Sequence, residues 1–458
     1  LPMPNSVTSA PSSPEKEIDS SEIATLQDDS PHTDPVTGGL VRRALTQLRT
    51  NHMVRNSMYS LLSTALQAGL GFGFWIIAAR LFSVPDVGRA TSLITASTFI
   101  GFIALFGLNS TLSRYLPTTK HRDLMITVAV VFVGVGGTII ALAYVLAIPL
   151  LAPHLRFMDE RIPLAVGFVV LTGATTINKL TDYIFIASRR TGINALVDGG
   201  IGGVVRLLLL PVLAGSGAYG LYTASAAGFL VVAAVSIVLI GTQLHVRPKF
   251  KGAVKELMPL FRFSGANYLG NVFNLAPMLV VTLIVLDRLG TSAAAYYYMA
   301  FQIANLLYSG AYAVEENFLA EGAHDEEKLT SLMWRSAKLL AMMALPAAIG
   351  GALLAHYIML VFGHAYAVHG SGALVLLALA AIPIAAQNWL ITVLRLTGQL
   401  LAITVSNIVY AFGICGLAWF LAPHGLSMIG AAWLGGSFLG VVAAIIGVLL
   451  GKRRGALN

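Results

Sequence analysis

The sequence predicts an all-α chain that crosses a membrane about twelve times, in two bundles of six helices. Three observations predict it. Apolar residues make up 56% of the chain and charged residues only 11%, against about 25% charged in soluble domains. Charge-free runs at 56–79, 90–113, 263–286 and 289–314 each exceed the roughly 20 residues that a helix needs to span a bilayer. Between Lys338 and Arg395, and again between Arg395 and Lys452, no Asp, Glu, Lys or Arg occurs, and each stretch can hold a helical hairpin.

Residues 1–39 carry seven acids against one base, Lys16, in a Ser/Thr/Pro-rich setting. So little apolar area cannot offset the entropy of ordering, and a disordered acidic cytoplasmic tail is expected. In 40–55, Leu40, Val41, Leu45, Leu48 and Met53 lie roughly on one helical side, with Arg42, Arg43, Arg49 and Arg55 between them. That pattern suits a basic amphipathic segment on the inner membrane surface, or simply the positive flank of the first span. The first apolar run is too long for a signal-peptide core and ends in Arg80 rather than a small-residue cleavage site, so an uncleaved anchor is expected.

The predicted spans are 56–79, 90–112, 124–152, 163–187, 192–214 and 218–242, then 264–286, 293–318, 337–362, 371–394, 398–421 and 426–450. A first bundle covers 56–242 and a second 264–451, joined by a basic, non-helical cytoplasmic linker at 243–263 and followed by a basic tail at 452–458. With the amino terminus cytoplasmic, 22 of the 29 Lys and Arg residues fall inside and five outside, the other two being Lys179 and Arg206 within helices. Such a bias predicts a multi-pass protein of the cytoplasmic membrane with both termini cytoplasmic. Shifting the sequence by 208 positions brings Arg80-Leu81 onto Arg288-Leu289 and Asn109 onto Asn317. Together with the six-plus-six layout, this fits two halves related by an axis along the membrane normal, a repeat plan found in transporters.

The loops exclude several chemistries. The outer connections are short, so a glycosyltransferase or polymerase would lack a domain to hold acceptor and catalytic acids. No HExxH, Walker A or Cys/His cluster is present, and no catalytic residue or metal site is expected. GSGAYG at 215–220 fits G-x-G-x-x-G but sits in an outer hairpin, not between a strand and a cytosolic helix. The single cysteine, Cys415, can form no intrachain disulfide. What remains is a non-enzymatic secondary transporter without a nucleic-acid partner or bound cofactor.

AARLFSVPDVGRATSL (78–93) and GLNSTLSRYLP (107–117) resemble the start of polysaccharide-export flippases. EEKLTSLMWRSAKLLAMMALPAAIGGALLAHYIMLVFGHAY (326–366) resembles their ninth helix, and TGQLLAIT (397–404) and GLSMIGAAWL (425–434) match the turns before helices 11 and 12. The resemblance, over about 50–450, is to the Wzx-like branch of the superfamily that includes MATE multidrug exporters and lipid II flippases. It implies a MATE-like, V-shaped transporter that moves a polyprenyl-pyrophosphate-linked oligosaccharide between leaflets by alternating access. Membrane lipids, and a glycan polymerase or glycosyltransferases, are the implied partners, and a proton or sodium ion the coupling ion. Multidrug relatives carry a cation-binding acid in the first helix of one half, whereas 56–79 and 263–286 contain no Asp or Glu. A MATE-type multidrug cation antiporter and a membrane scaffold subunit of a glycan-synthesis complex are the alternatives.

A charge at the centre of a membrane helix costs about 2.5–3.5 kcal/mol on insertion scales, so each asks for a partner or a wet cavity. Lys179, Asp182, Asp198 and Arg206 on the fourth and fifth helices form a neutral set: either a salt-bridge network pinning two helices, or cations offered to a pyrophosphate with acids that exchange partners. Asn271 and Asn274 in helix 7 and Gln302 in helix 8 are candidate translocation residues, and Tyr296, Tyr297 and Tyr298 candidate glycan-facing rings. Gln67, Asn305, Gln387 and Asn388 are further polar groups in spans; any of these amides could equally bind helices together. Glu315 and Glu316 could form a cytoplasmic gate with Arg114. Arg395 reads as an inner-surface anchor, and His356 as a satisfied polar group. Gly69, Gly71 and Gly73, with Pro277, Pro346 and Pro383, are expected to mark close packing or bends.

Overall fold

A computed structural model describes residues 68–119, 121–151, 153–158, 162–249, 253–322 and 329–453. The acidic segment 1–39, the basic segment 40–55, Gln67 and the end of the tail lie outside the described residues. Every regular element described is helical: α1 Ala68–Leu81, α2 Val84–Ile103, α3 Leu108–Tyr115, α4 Arg122–Leu151, α5 Ile162–Ala187, α6 Thr191–Asn194, α7 Gly203–Leu213, α8 Gly217–Gln243, α9 Ala253–Leu289, α10 Thr291–Gly322, α11 Leu329–Leu353, α12 Ala355–Leu360, α13 His364–Leu396, α14 Leu400–Leu421 and α15 Leu426–Arg453. A π-helical stretch, Ala195–Gly202, joins α6 to α7.

By length and apolarity alone, eight stretches qualify as spans among the described residues, and α2 with α3 makes a ninth. One of the eight, Thr191–Gln243, is 53 residues long. At 1.5 Å per residue it would be more than twice the roughly 30 Å bilayer core. A 3-10 turn at Ala214–Ser216, followed by Gly217 at φ +57°, folds it back as two spans. With α1 and α10, all twelve predicted positions hold helices. Large apolar side chains on the outer faces stay uncovered, among them Ile162, Val212, Phe420 and Leu401, as lipid-facing surface requires.

Several local expectations are corrected. The second span is not continuous over 90–112: it breaks after Ile103 and resumes at Leu108 with a 50° bend. Phe106 and Gly107 take φ +47° and +79° there, so a left-handed pair bends the helix path. Pro277, Pro346 and Pro383 lie within continuous helices, whereas the break falls where no proline stands. The linker is helical from Ala253, because α9 begins there and runs 37 residues. The ninth span ends at Leu353 and α12 follows as a short separate turn, and α13 starts seven residues before the predicted 371. Gly69, Gly71 and Gly73 face open space, with nothing within 4 Å of a Cβ built on them. Close packing by glycine occurs at Gly88, where a Cβ would strike the Thr291 carbonyl, and at Gly436, against the backbone of Ile414.

In the N-terminal half α5 packs on α4 and α8, with α2 against both α5 and α8. In the C-terminal half α15 packs on α13 and α14, with α10 and α11 against α13 and α9 against α14. The halves meet where α2 lies on α10 and α9. At the predicted outer end one apolar cluster runs through both halves, from Val87, Ala90 and Leu93 to Ala294, Ala295 and Tyr298. Toward the predicted inner end the buried residues divide. Leu105, Leu112, Ile126, Leu180 and Phe185 form one cluster in the N-terminal half. Two small clusters around Val314 with Leu340, and Leu394 with Ile403, belong to the C-terminal half.

Candidate translocation site

Two polar centres emerge. The first is the charged set that the sequence predicted, and the structure brings its four members together. Lys179 and Asp182 stand one turn apart on α5, Asp198 lies in the π-helical stretch, and Arg206 two turns further along the same helix. The Arg206 side chain runs back so that Nη2 lies 3.7 Å from Asp198 Oδ1. Its guanidinium carbon sits 3.8 Å from the centre of the Phe229 ring on α8. Its stem crosses α8 at Gly228, where a Cβ would come within 2.4 Å of Arg206 Cγ. Lys179 Nζ stands 4.1 Å from the centre of the Phe102 ring, and its stem passes over Gly101 of α2. Both cations are thus held by aromatic faces, and Arg206 by a carboxylate as well. Arg206 Nε and Asp182 Oδ1 are buried without a hydrogen-bond partner, so the set retains unused capacity. It sits among α2, α5, α7 and α8, inside the N-terminal half.

The second centre lies in the seam between halves, at the predicted inner end. It is a pocket of about 430 Å³ lined by Ser110 of α3, Gly270 and Asn271 of α9, Arg395 of α13, and Leu400, Ile403, Thr404 and Asn407 of α14. The turn Thr397–Gly398, with Gly398 at φ +71°, sets the last turn of α13 beside the first turn of α14. Asn407 is 4% exposed and its Nδ2 donates to the Gly270 carbonyl at 3.1 Å. Its Oδ1 has no partner. Of the predicted translocation residues Asn271 alone lines this pocket, while Asn274 and Gln302 are half-buried on α9 and α10.

Arg395, read as an inner-surface anchor, is exposed in the last turn of α13 and also lines this pocket. The available signal was its isolation, since it is the one charged residue between Lys338 and Lys452. Ser110, Thr404 and Asn407 gave no such signal.

The tyrosine expectation is corrected. Tyr297 is fully buried in the C-terminal half and accepts a hydrogen bond from Trp433 Nε1 at 2.9 Å. Tyr298 packs on Trp75 of α1 at 4.8 Å between ring centres, and Tyr296 stacks on His369. These rings fill core and seam, not a sugar-lined wall. Of the proposed gate, Glu315 accepts from Thr392 Oγ1 at 2.7 Å within the C-terminal half. Arg114 ends α3 on an exposed face beside the Tyr115 ring. The Glu316 side chain lies outside the described residues. His356 is exposed on α12, against Tyr357. Among the described residues no group of three His, Cys, Asp or Glu could hold a metal ion.

At the predicted outer end the seam is shut. Gly88 of α2 touches the backbone of Thr291 and Ala295 on α10, Phe72 meets Phe362 at 5.4 Å, and Arg80 Nη2 donates to the Val361 carbonyl at 3.4 Å. Nearer the predicted inner end the Tyr268 hydroxyl of α9 donates to the Ile103 carbonyl at the α2–α3 break.

Solved structures share this architecture. An inward-facing MATE family multidrug resistance transporter of the MOP superfamily aligns with TM-score 0.64 and 17% identity, covering 85% of this chain and 94% of its own. A MATE transporter in the straight conformation gives 0.61 and 17%, with 88% and 95% covered. A MOP superfamily transporter from Pyrococcus furiosus, described as having a binding pocket of reversed polarity, gives 0.59 and 15%, with 88% and 94% covered. At these identities the likeness establishes the fold alone: an all-helical, polytopic architecture of the MATE-like kind. The model of the polysaccharide biosynthesis protein family matches residues 77–369, and the chain belongs to that family. No curated protein matches it.

Proposed function

We propose that this transporter is a flippase that carries a polyprenyl-pyrophosphate-linked oligosaccharide, or a related glycolipid, across the cytoplasmic membrane by alternating access. The observation that carries this reading is the asymmetry of the seam: one apolar core unites the halves at the predicted outer end, while a polar pocket opens between them at the inner end. A saccharide head needs hydrogen-bonding walls to leave water, and its prenyl tail can stay in lipid beside the seam. The family membership favours a glycan over a drug. The acid-free described part of α1 also speaks against the cation-binding plan of multidrug relatives.

Lys179, Asp182, Asp198 and Arg206 then serve as a second station within the N-terminal half, or as the group that takes up a coupling proton or sodium ion. Arg114 with Glu315 and Glu316 is retained as the inner gate. The test is a deletion strain in which lipid-linked glycans are measured on each leaflet. Accumulation on the inner leaflet with loss of surface glycan, reversed by the intact gene, is expected. Unchanged surface glycan together with increased drug sensitivity would hand the reading to the multidrug antiporter.

A further inference from the structure

Building on the flippase reading, we infer that the seam pocket is a phosphosugar subsite, with Arg395 taking a phosphate oxygen and Asn407 taking a sugar hydroxyl. The Gly270 carbonyl can only accept, so the Asn407 amide must turn its Nδ2 toward it, which leaves Oδ1 as a buried, unpartnered acceptor on a residue of the pocket wall, one that a small opening of the seam would offer to a ligand. A buried acceptor without a donor costs about 1–3 kcal/mol, and Asn407 is 96% covered. A phosphate oxygen cannot satisfy it, because it brings no hydrogen at neutral pH. A hydroxyl does. Thr404, one turn earlier on the same helix and in the same wall, already donates its own hydroxyl to the Leu400 carbonyl at 3.1 Å.

The anion side has its own builder. Arg395 is exposed and forms no ion pair among the described residues. Its guanidinium fork matches phosphate oxygens. Leu400, Ile403 and Thr404 place the amino-terminal turn of the 22-residue α14 on the same wall, where the helix presents positive partial charge. A volume of about 430 Å³ lies within the usual range for small-ligand clefts, about 300–1,000 Å³. The head group would fit inside, with further sugars emerging toward the inner end. Because Ser110 belongs to the other half, a ligand here touches both halves and would be released or gripped as they rock.

Three probes test this on the purified full chain in detergent: a short-chain prenyl pyrophosphate bearing one hexose, the same prenyl pyrophosphate without sugar, and UDP-hexose. Arg395→Gln is expected to weaken both prenyl probes about ten-fold or more, with Arg395→Lys intermediate. Asn407→Leu is expected to weaken only the sugar-bearing probe. Ser110→Trp, which fills the pocket from the opposite half, should abolish both and covers the case in which Asn407→Leu fails to fold. Equal, Arg395-dependent binding of UDP-hexose supports the subsite and assigns it to a free phosphosugar instead of a lipid carrier. The subsite is overturned if the unaltered chain does not distinguish sugar-bearing from bare probe, or if Arg395→Gln binds both as before. Glycan export is scored separately in the deletion strain: unchanged surface glycan there removes the flippase reading, while the binding results decide the subsite by themselves.

Discussion

In the N-terminal half, Arg206 finds Asp198 at 3.7 Å and the Phe229 ring at 3.8 Å, and glycines at 101 and 228 make room for the two cationic stems. In the seam, Arg395 meets no acid among the described residues, and the polar residues that share its pocket are Ser, Asn and Thr. The first centre holds four ionisable groups beneath protein; the second holds one, open to the pocket. Burying charge is expensive unless partners come with it, so the first centre had to be furnished by the protein itself. The cation of the pocket wall is exposed, so it costs little, and that leaves it available to a ligand.

The comparison breaks most directly at Arg206. Arg206→Ala removes one side of a largely covered ion pair and the ring contact with Phe229, and a loss of about 3 kcal/mol in stability is expected. Adding Asp198→Asn should recover part of it. An unchanged melting temperature in detergent would show that this network does not hold the half together. Arg395→Gln should leave that melting temperature alone, which sharpens the contrast.

A smaller effect is expected at the outer seal. Gly88→Leu pushes a side chain into the Thr291 carbonyl, at a cost of about 1–3 kcal/mol, and should part the halves there. Labelling of a cysteine introduced as Tyr298→Cys, by an impermeant thiol reagent from outside, should rise in that background. Failure to rise would mean that the outer contact is not the barrier. Tyr268→Phe removes one hydroxyl bridge between halves and should cost about 1 kcal/mol, seen as a modest fall in melting temperature. Least of all, Gly71→Ala meets nothing within 4 Å and should stabilise α1 by about 0.5–1 kcal/mol. A loss there would mean that α1 has a closer neighbour than this state displays.

Much of the fold was legible because hydropathy and charge spacing average over twenty residues. The spans 163–187, 218–242, 398–421 and 426–450 differ from their helices by at most a few residues. The interruptions were not legible. Phe106-Gly107 lies inside an apolar run with no proline or charge, and 195–202 has no residue signature that demands a π-helix. The four-charge set was legible since charge in hydrocarbon stands out. Asn271 was found, but Asn407 was passed over and the place of Arg395 in a pocket wall was not foreseen, because a pocket between halves is created by tertiary approach and not by any local pattern.

The joint at Gly107 gives α2 and α3 separate tasks: Gly88 rests on the opposite half at one end and Ser110 faces the pocket at the other. A straight rod would force both to move as one, like a door handle fixed to its latch. A jointed rod lets the lower arm swing around cargo while the upper arm still keeps out leakage. Spin labels placed at 90 and 110 would report it: a separation that varies with ligand marks a working elbow, and a constant one marks a stiff crank.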